Sequence, residues 1–108
     1  MKEFPELDGI HWVSNDNPDI VMVKTRAIET NLIDIGIDTE NEFEIDFYLD
    51  LSKISAVREY FVNVNQASDK ECVVDFGGDS TYVIDVNIIE LLRAWEFCKK
   101  WNNANKNI

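Results

Sequence analysis

Few side chains in this sequence are suited to chemistry. The single histidine, His11, lies beside Trp12 in a stretch without a serine or cysteine nucleophile motif. Histidine is the commonest general acid or base, but in this setting it reads as a structural or exposed residue. The two cysteines are Cys72, in a strand-like run, and Cys98, on an apolar helical face. Both read as core residues rather than a disulfide, a redox couple or a metal pair. No Cys-x-x-Cys or His-x-x-x-His spacing occurs, so no zinc site is expected. Asn15-Asp16-Asn17-Pro18-Asp19 is rich in oxygen donors but lacks the glycine and the closing glutamate of a calcium loop; it reads as a turn. Asp75-Phe76-Gly77 matches a three-residue kinase metal motif by chance, since nothing else of a kinase is present. Gly77-Gly78 is flanked by Asp75 and Asp79, which repel anions, so it is a turn and not a phosphate cradle. No catalytic residue, metal or cofactor is expected, and the chain does not read as an enzyme.

The remaining feature is a carboxylate array. Between Arg26 and Lys53 there are eight acids and no base: Glu29, Asp34, Asp38, Glu40, Glu42, Glu44, Asp46 and Asp50. They are interleaved with Ile33, Ile35, Ile37, Phe43, Ile45, Phe47, Leu49 and Leu51, which a disordered acidic tail would lack, so the block is folded. On an extended strand, alternate residues stand about 6.6 Å apart on one face. That is too wide for neighbours to chelate one hard cation. A row of like charges is unfavourable to itself, and two explanations compete. One is a solvated outer face that also protects a sheet edge. The other is a docking surface that imitates phosphates and draws a basic protein by electrostatic steering.

The whole chain shares this bias. Its 108 residues carry 21 acids and 10 Lys+Arg, a net charge of −11. Residues 1–54 hold 13 of the acids and 4 of the bases. Such a balance excludes direct binding to nucleic acid or to an anionic membrane surface. No apolar run is long enough to span a membrane, and without an apolar signal core at its start the chain reads as cytoplasmic. With 45% hydrophobic residues, one domain over residues 1–108 with a real core is expected.

Residues 1–19, with both prolines, read as an irregular lead-in. Residues 20–28 alternate as a half-buried strand, and a turn at 29–31 would pair it with 31–37, setting Arg26 opposite Asp34. Residues 42–51 alternate most cleanly. Phe43, Ile45, Phe47, Leu49 and Leu51 face the core, while Glu42, Glu44, Asp46, Tyr48 and Asp50 face out. Residues 52–60 admit two readings, a short helix capped by Ser52 through Ile54 and Val57, or a short turn leading into a strand over about 56–64, and the strand is favoured by Tyr60-Phe61-Val62-Asn63-Val64. Cys72–Phe76 and Thr81–Asp85 form a hairpin around Gly77-Gly78, because glycine tolerates the positive φ of tight turns. Asn87 is an N-cap for a long helix that buries Ile88, Ile89, Leu91, Leu92, Trp95 and Cys98. Residues 102–108 form a polar tail. The expected fold is α+β, an antiparallel sheet of five or six strands with one long C-terminal helix packed on it.

A small acidic binding protein follows from these features. It would occlude the site of a basic partner, a nuclease or nucleic-acid-binding protein, as immunity proteins and phage anti-defence proteins do. Asp38, Glu40, Glu42, Glu44, Asp46 and Asp50 would steer and pair, and Tyr48 would anchor. A second interface is expected at Phe97 and Trp101, one helical turn apart and off the main buried face, unless the lead-in with Trp12 covers them. The rival reading is a structural or regulatory homo-oligomer, a homodimer in its simplest form, joined through those two rings.

Overall fold

The computed structural model describes residues 4–26, 44–78 and 80–105, the side chains of Arg26, Glu44 and Asn105 excepted. Among the described residues, two three-stranded antiparallel sheets and one C-terminal helix make up an α+β fold. The first sheet has the order β1 (His11–Trp12), β2 (Ile20–Arg26) and β3 (Glu44–Asp50). Alternation places Val21, Val23 and Thr25 of β2 inward and buried, against Leu49 and the half-buried Phe47 and Ile45 of β3. Met22, Lys24, Asp46 and Tyr48 therefore point out. The expected strand at 31–37 and its pairing with β2 lie outside the described residues. Along its described length, β2 has β3 on one edge. The other edge takes β1 at Val21 and Met22, and then Asp85, whose N–H donates to the Lys24 carbonyl at 2.7 Å.

At its end β3 turns sharply into a single 3-10 turn, Leu51–Lys53. Asp50 drives the turn, its Oδ1 accepting from the Ser52 N–H at 3.0 Å and from the Ser52 hydroxyl. The chain re-enters strand as β4 (Ala56–Asn63), which pairs with β5 (Gln66–Asp75), not with β3; β5 pairs in turn with β6 (Thr81–Ile84). This turn is why the described strands divide into two sheets of three and not one sheet of five or six. The sheets abut where β2 meets β6, through the Asp85–Lys24 bond and a bond from the Thr25 hydroxyl to the Val83 carbonyl.

The β5–β6 hairpin closes through Gly77 and Gly78, at φ +91° and +59°, with Phe76 N–H donating to the Ser80 carbonyl at 2.9 Å. Being the central strand, β5 buries Cys72, Val73 and Val74 consecutively. It starts at Gln66, six residues before the run that the sequence marks as strand. The β4–β5 turn, Val64-Asn65, contains no glycine; Asn65 N–H donates to Asn63 Oδ1 at 2.9 Å.

The helix, α1, spans Ile88–Asn105. Asn87 Oδ1 accepts from Ile89 N–H at 2.8 Å, while its Nδ2 donates to the Asp69 carbonyl at 2.7 Å. Glu90 Oε2 accepts from the Asp8 N–H at 3.0 Å and ties the lead-in to the first turn. The stripe Leu91, Ala94 and Cys98 is fully buried, in one cluster with Cys72, Val74, Ile84, Val21, Leu49 and Leu51. Fully burying an aliphatic side chain of this kind contributes about 2 kcal/mol, so this cluster holds the helix to both sheets. Ile89 and Leu92, expected in the core, are exposed, because at 3.6 residues per turn they lie about 160° and about 100° round the helix from Leu91 and so off the buried stripe. The helix also runs through residues expected in the tail. Asn102, one turn beyond Cys98, donates to Asp19 Oδ1 at 3.0 Å and continues the packed face.

Candidate partner-binding face

The outer face of the first sheet is set by the β2–β3 register. Opposite pairs are Ile20 with Asp50, Met22 with Tyr48, Lys24 with Asp46, and Arg26 with Glu44. On the far edge His11 stands opposite Met22. Tyr48 is 63% exposed and has acids two residues away on either side along its strand. Asp46 forms a salt bridge with Lys24, both about half exposed; pairs of this kind contribute up to about 1 kcal/mol. Read along the chain, the acid row contains no base to relieve it. Across the strands, however, two bases of β2 stand in register with Glu44 and Asp46. Asp50 has a structural task as well, since it caps the Leu51–Lys53 turn. Asp38, Glu40 and Glu42 lie outside the described residues. Residues 27–43, between Arg26 and Glu44 in the sequence, hold five acids and no base.

Phe97 and Trp101 are engaged within the chain. Phe4 meets Trp12, Phe97 and Trp101 edge-on, with ring centroids at 5.2, 5.4 and 5.2 Å. Trp12 reaches Phe97 at 5.7 Å, and its indole N–H donates to the Pro5 carbonyl at 2.8 Å. The lead-in thus lies over the outward flank of the helix.

A third feature carries no sequence signal as a site. An open cleft of about 630 Å³ lies between the C-terminal half of α1 and the Leu51–Lys53 turn. Leu51, Ile54 and Trp95 supply its apolar wall. Its polar wall is a small network in which Asp19 Oδ1 accepts from Asn102 Nδ2 and, at 3.5 Å, from the Cys98 thiol. At the rim, Lys99 Nζ sits 3.6 Å from the centre of the Trp95 ring.

A fourth is the tip of the β4–β5 hairpin. Phe61, Val62 and Val64 are 55%, 53% and 92% exposed, and residues 60–68 include no charged side chain.

Burial pushes the thiols of Cys72 and Cys98 up to about 12, with Asp19 and Asp50 adding to the effect at Cys98; neither is a nucleophile near neutral pH. Arg58 and the Thr81 hydroxyl hold the Asp75 carboxyl below its ordinary value through hydrogen bonds at 3.0 and 2.7 Å. That cluster ties β4, β5 and β6 together at the glycine turn. His11 is exposed on β1. Among the described residues no group of three or more His, Cys, Asp or Glu side chains is placed to hold a metal ion, and no helix is long and apolar enough to cross a membrane. Compared with protein-family models, with curated proteins and with solved structures, the chain matches none.

Proposed function

We propose that this chain is a small acidic binding protein that inhibits a basic protein by docking over its site. A nuclease or another nucleic-acid-binding protein is the partner class that its charge fits, and immunity or phage anti-defence action is the corresponding role. The observation that carries the reading is Tyr48. A large ring stands two-thirds exposed on a strand whose alternation otherwise puts acids outward, where it contributes little to the core. Aromatic rings in such positions are the residues that anchor interfaces, and carboxylates around them steer a basic partner. The test is capture of partners on the immobilised chain at low salt, eluted by a salt gradient, with wild type beside a Glu42→Gln/Glu44→Gln/Asp46→Asn variant. A basic protein held by wild type and released at lower salt by the variant supports docking. Equal retention by both removes the acid face from the function.

The homo-oligomer reading draws on the hairpin tip, since Phe97 and Trp101 are covered by the lead-in. An uncharged, apolar tip on a chain of net charge −11 is a surface on which two copies meet without bringing their acids together. Light scattering on wild type and on Phe61→Ser/Val64→Ser decides it: a dimer lost in the double variant supports this reading, and a monomeric wild type removes it.

A further inference from the structure

We propose that the cleft between α1 and the Leu51–Lys53 turn receives an arginine side chain of the basic partner, its guanidinium stacked on the Trp95 indole and paired with the Asp19 carboxylate. This site presupposes the basic partner proposed above and names the group of that partner that enters the chain.

The polar network is arranged for a cation. Two donors, the Cys98 thiol and the Asn102 amide, converge on Asp19 Oδ1. They fix the direction of the carboxylate. Because the Cys98 thiol stays protonated, it adds no second charge and acts as a fixed donor. Asp50, close enough for its charge to act on Cys98, adds to the negative field. Indole faces attract cations most strongly among the aromatic side chains, and here the Trp95 face already holds one, the chain's own Lys99 at 3.6 Å. Lys99 is an exposed residue at the rim, so it can swing into water when another cation arrives. Its ammonium occupies the position in which the partner's guanidinium would lie.

Arginine fits the cleft better than lysine. A planar guanidinium stacks on the indole and still presents N–H donors at its edge to a carboxylate, which a compact ammonium does less well. The apolar wall of Leu51 and Ile54 accommodates the aliphatic stem. The cleft volume, about 630 Å³, is within the usual range for a site that takes a small group. An anion meets the opposite situation, with Lys99 the one cation lining the cleft among the described residues and Asp19 directed into it.

The test uses the full chain and needs no partner, so its failure is separable from failure of the capture experiment. Nα-acetyl-L-arginine methylamide is titrated into 15N-labelled protein, with the lysine and glutamate analogues alongside. The Trp95 indole and Asn102 side-chain N–H signals should shift saturably with the arginine probe, less with lysine, and not with glutamate. Asp19→Asn should weaken the arginine probe about tenfold, the scale of one charge-assisted pair. Lys99→Ala, at an exposed rim position that leaves folding intact, should tighten it about threefold by removing the internal competitor. The assignment is overturned if these signals do not shift saturably, if the glutamate probe shifts them more strongly, or if Lys99→Ala weakens the arginine probe.

Discussion

Phe4 decides whether the helix flank that carries Phe97 and Trp101 is a closed part of the fold. The perturbation is Phe4→Ala. Truncating a fully buried phenylalanine costs about 3–5 kcal/mol. Phe4 is half-buried, so about half the transfer contribution is lost, roughly 1–1.5 kcal/mol. Its three edge-on ring contacts, at 5.2–5.4 Å, add about 1 kcal/mol beyond area. The expected loss is therefore about 2 kcal/mol, or about 8 °C or more in Tm for a chain of this size. Urea unfolding followed by far-UV circular dichroism measures it. Tryptophan emission reads the site separately, because Trp12 and Trp101 both border Phe4 and should shift to the red. Phe4→Leu, which keeps most of the area and loses the ring geometry, should recover about half the loss. A loss below about 0.5 kcal/mol, with unchanged emission, would refute the docked lead-in and return Phe97 and Trp101 to the surface available for a partner.

Other outcomes follow from the same geometry. Asn87→Ala should cost about 1–2 kcal/mol in urea unfolding, since one side chain caps Ile89 and also ties the helix to the Asp69 carbonyl; Asn87→Asp, which keeps the cap and removes the tie, should fall between. At pH 8, Cys72 and Cys98 should react with a thiol reagent about a thousandfold more slowly in the native protein than in urea, because a rise from about 9 to about 12 lowers the thiolate fraction by that factor. Their folded values are raised, so the stability they contribute is complete below about pH 9 and is lost as pH climbs towards 12; Cys72→Ala should flatten that alkaline decline. Asp75 has a lowered folded value, so its contribution is present above the ordinary carboxylate pKa and is lost as pH falls through the folded one. Arg58→Met should therefore make acid unfolding less steep below about pH 4.

Alternation and glycine placement carry most of the fold in readable form. The inward Val21, Val23 and Leu49, the Gly77-Gly78 hairpin and the Asn87 cap each depend on residues close in sequence, where periodicity and turn chemistry act. The division into two sheets was not readable, because it depends on Asp50 binding Ser52 and turning β3 away from β4. Neither was the start of β5, whose Val64-Asn65 turn uses an asparagine side chain in place of glycine. The exposure of Ile89 was legible, since two residues of an α-helix put it about 160° from Leu91, whereas grouping all the apolar residues of 88–98 on one face overstated the stripe. In the same way the acid row looked unrelieved in sequence. Only the cross-strand register places Lys24 against Asp46, and only the tertiary fold brings Asp19, some eighty residues away, to Cys98 and Asn102.

The direct test of the binding-protein account is the affinity of a partner, captured and then purified, for wild type and Tyr48→Ala over a range of salt concentrations. The side chain is exposed, so the substitution should leave Tm unchanged while weakening binding at least about tenfold, as loss of an aromatic anchor does. Affinity for wild type should fall steeply with added salt, since steering by carboxylates is screened. Binding that is indifferent both to Tyr48 and to salt would contradict the account.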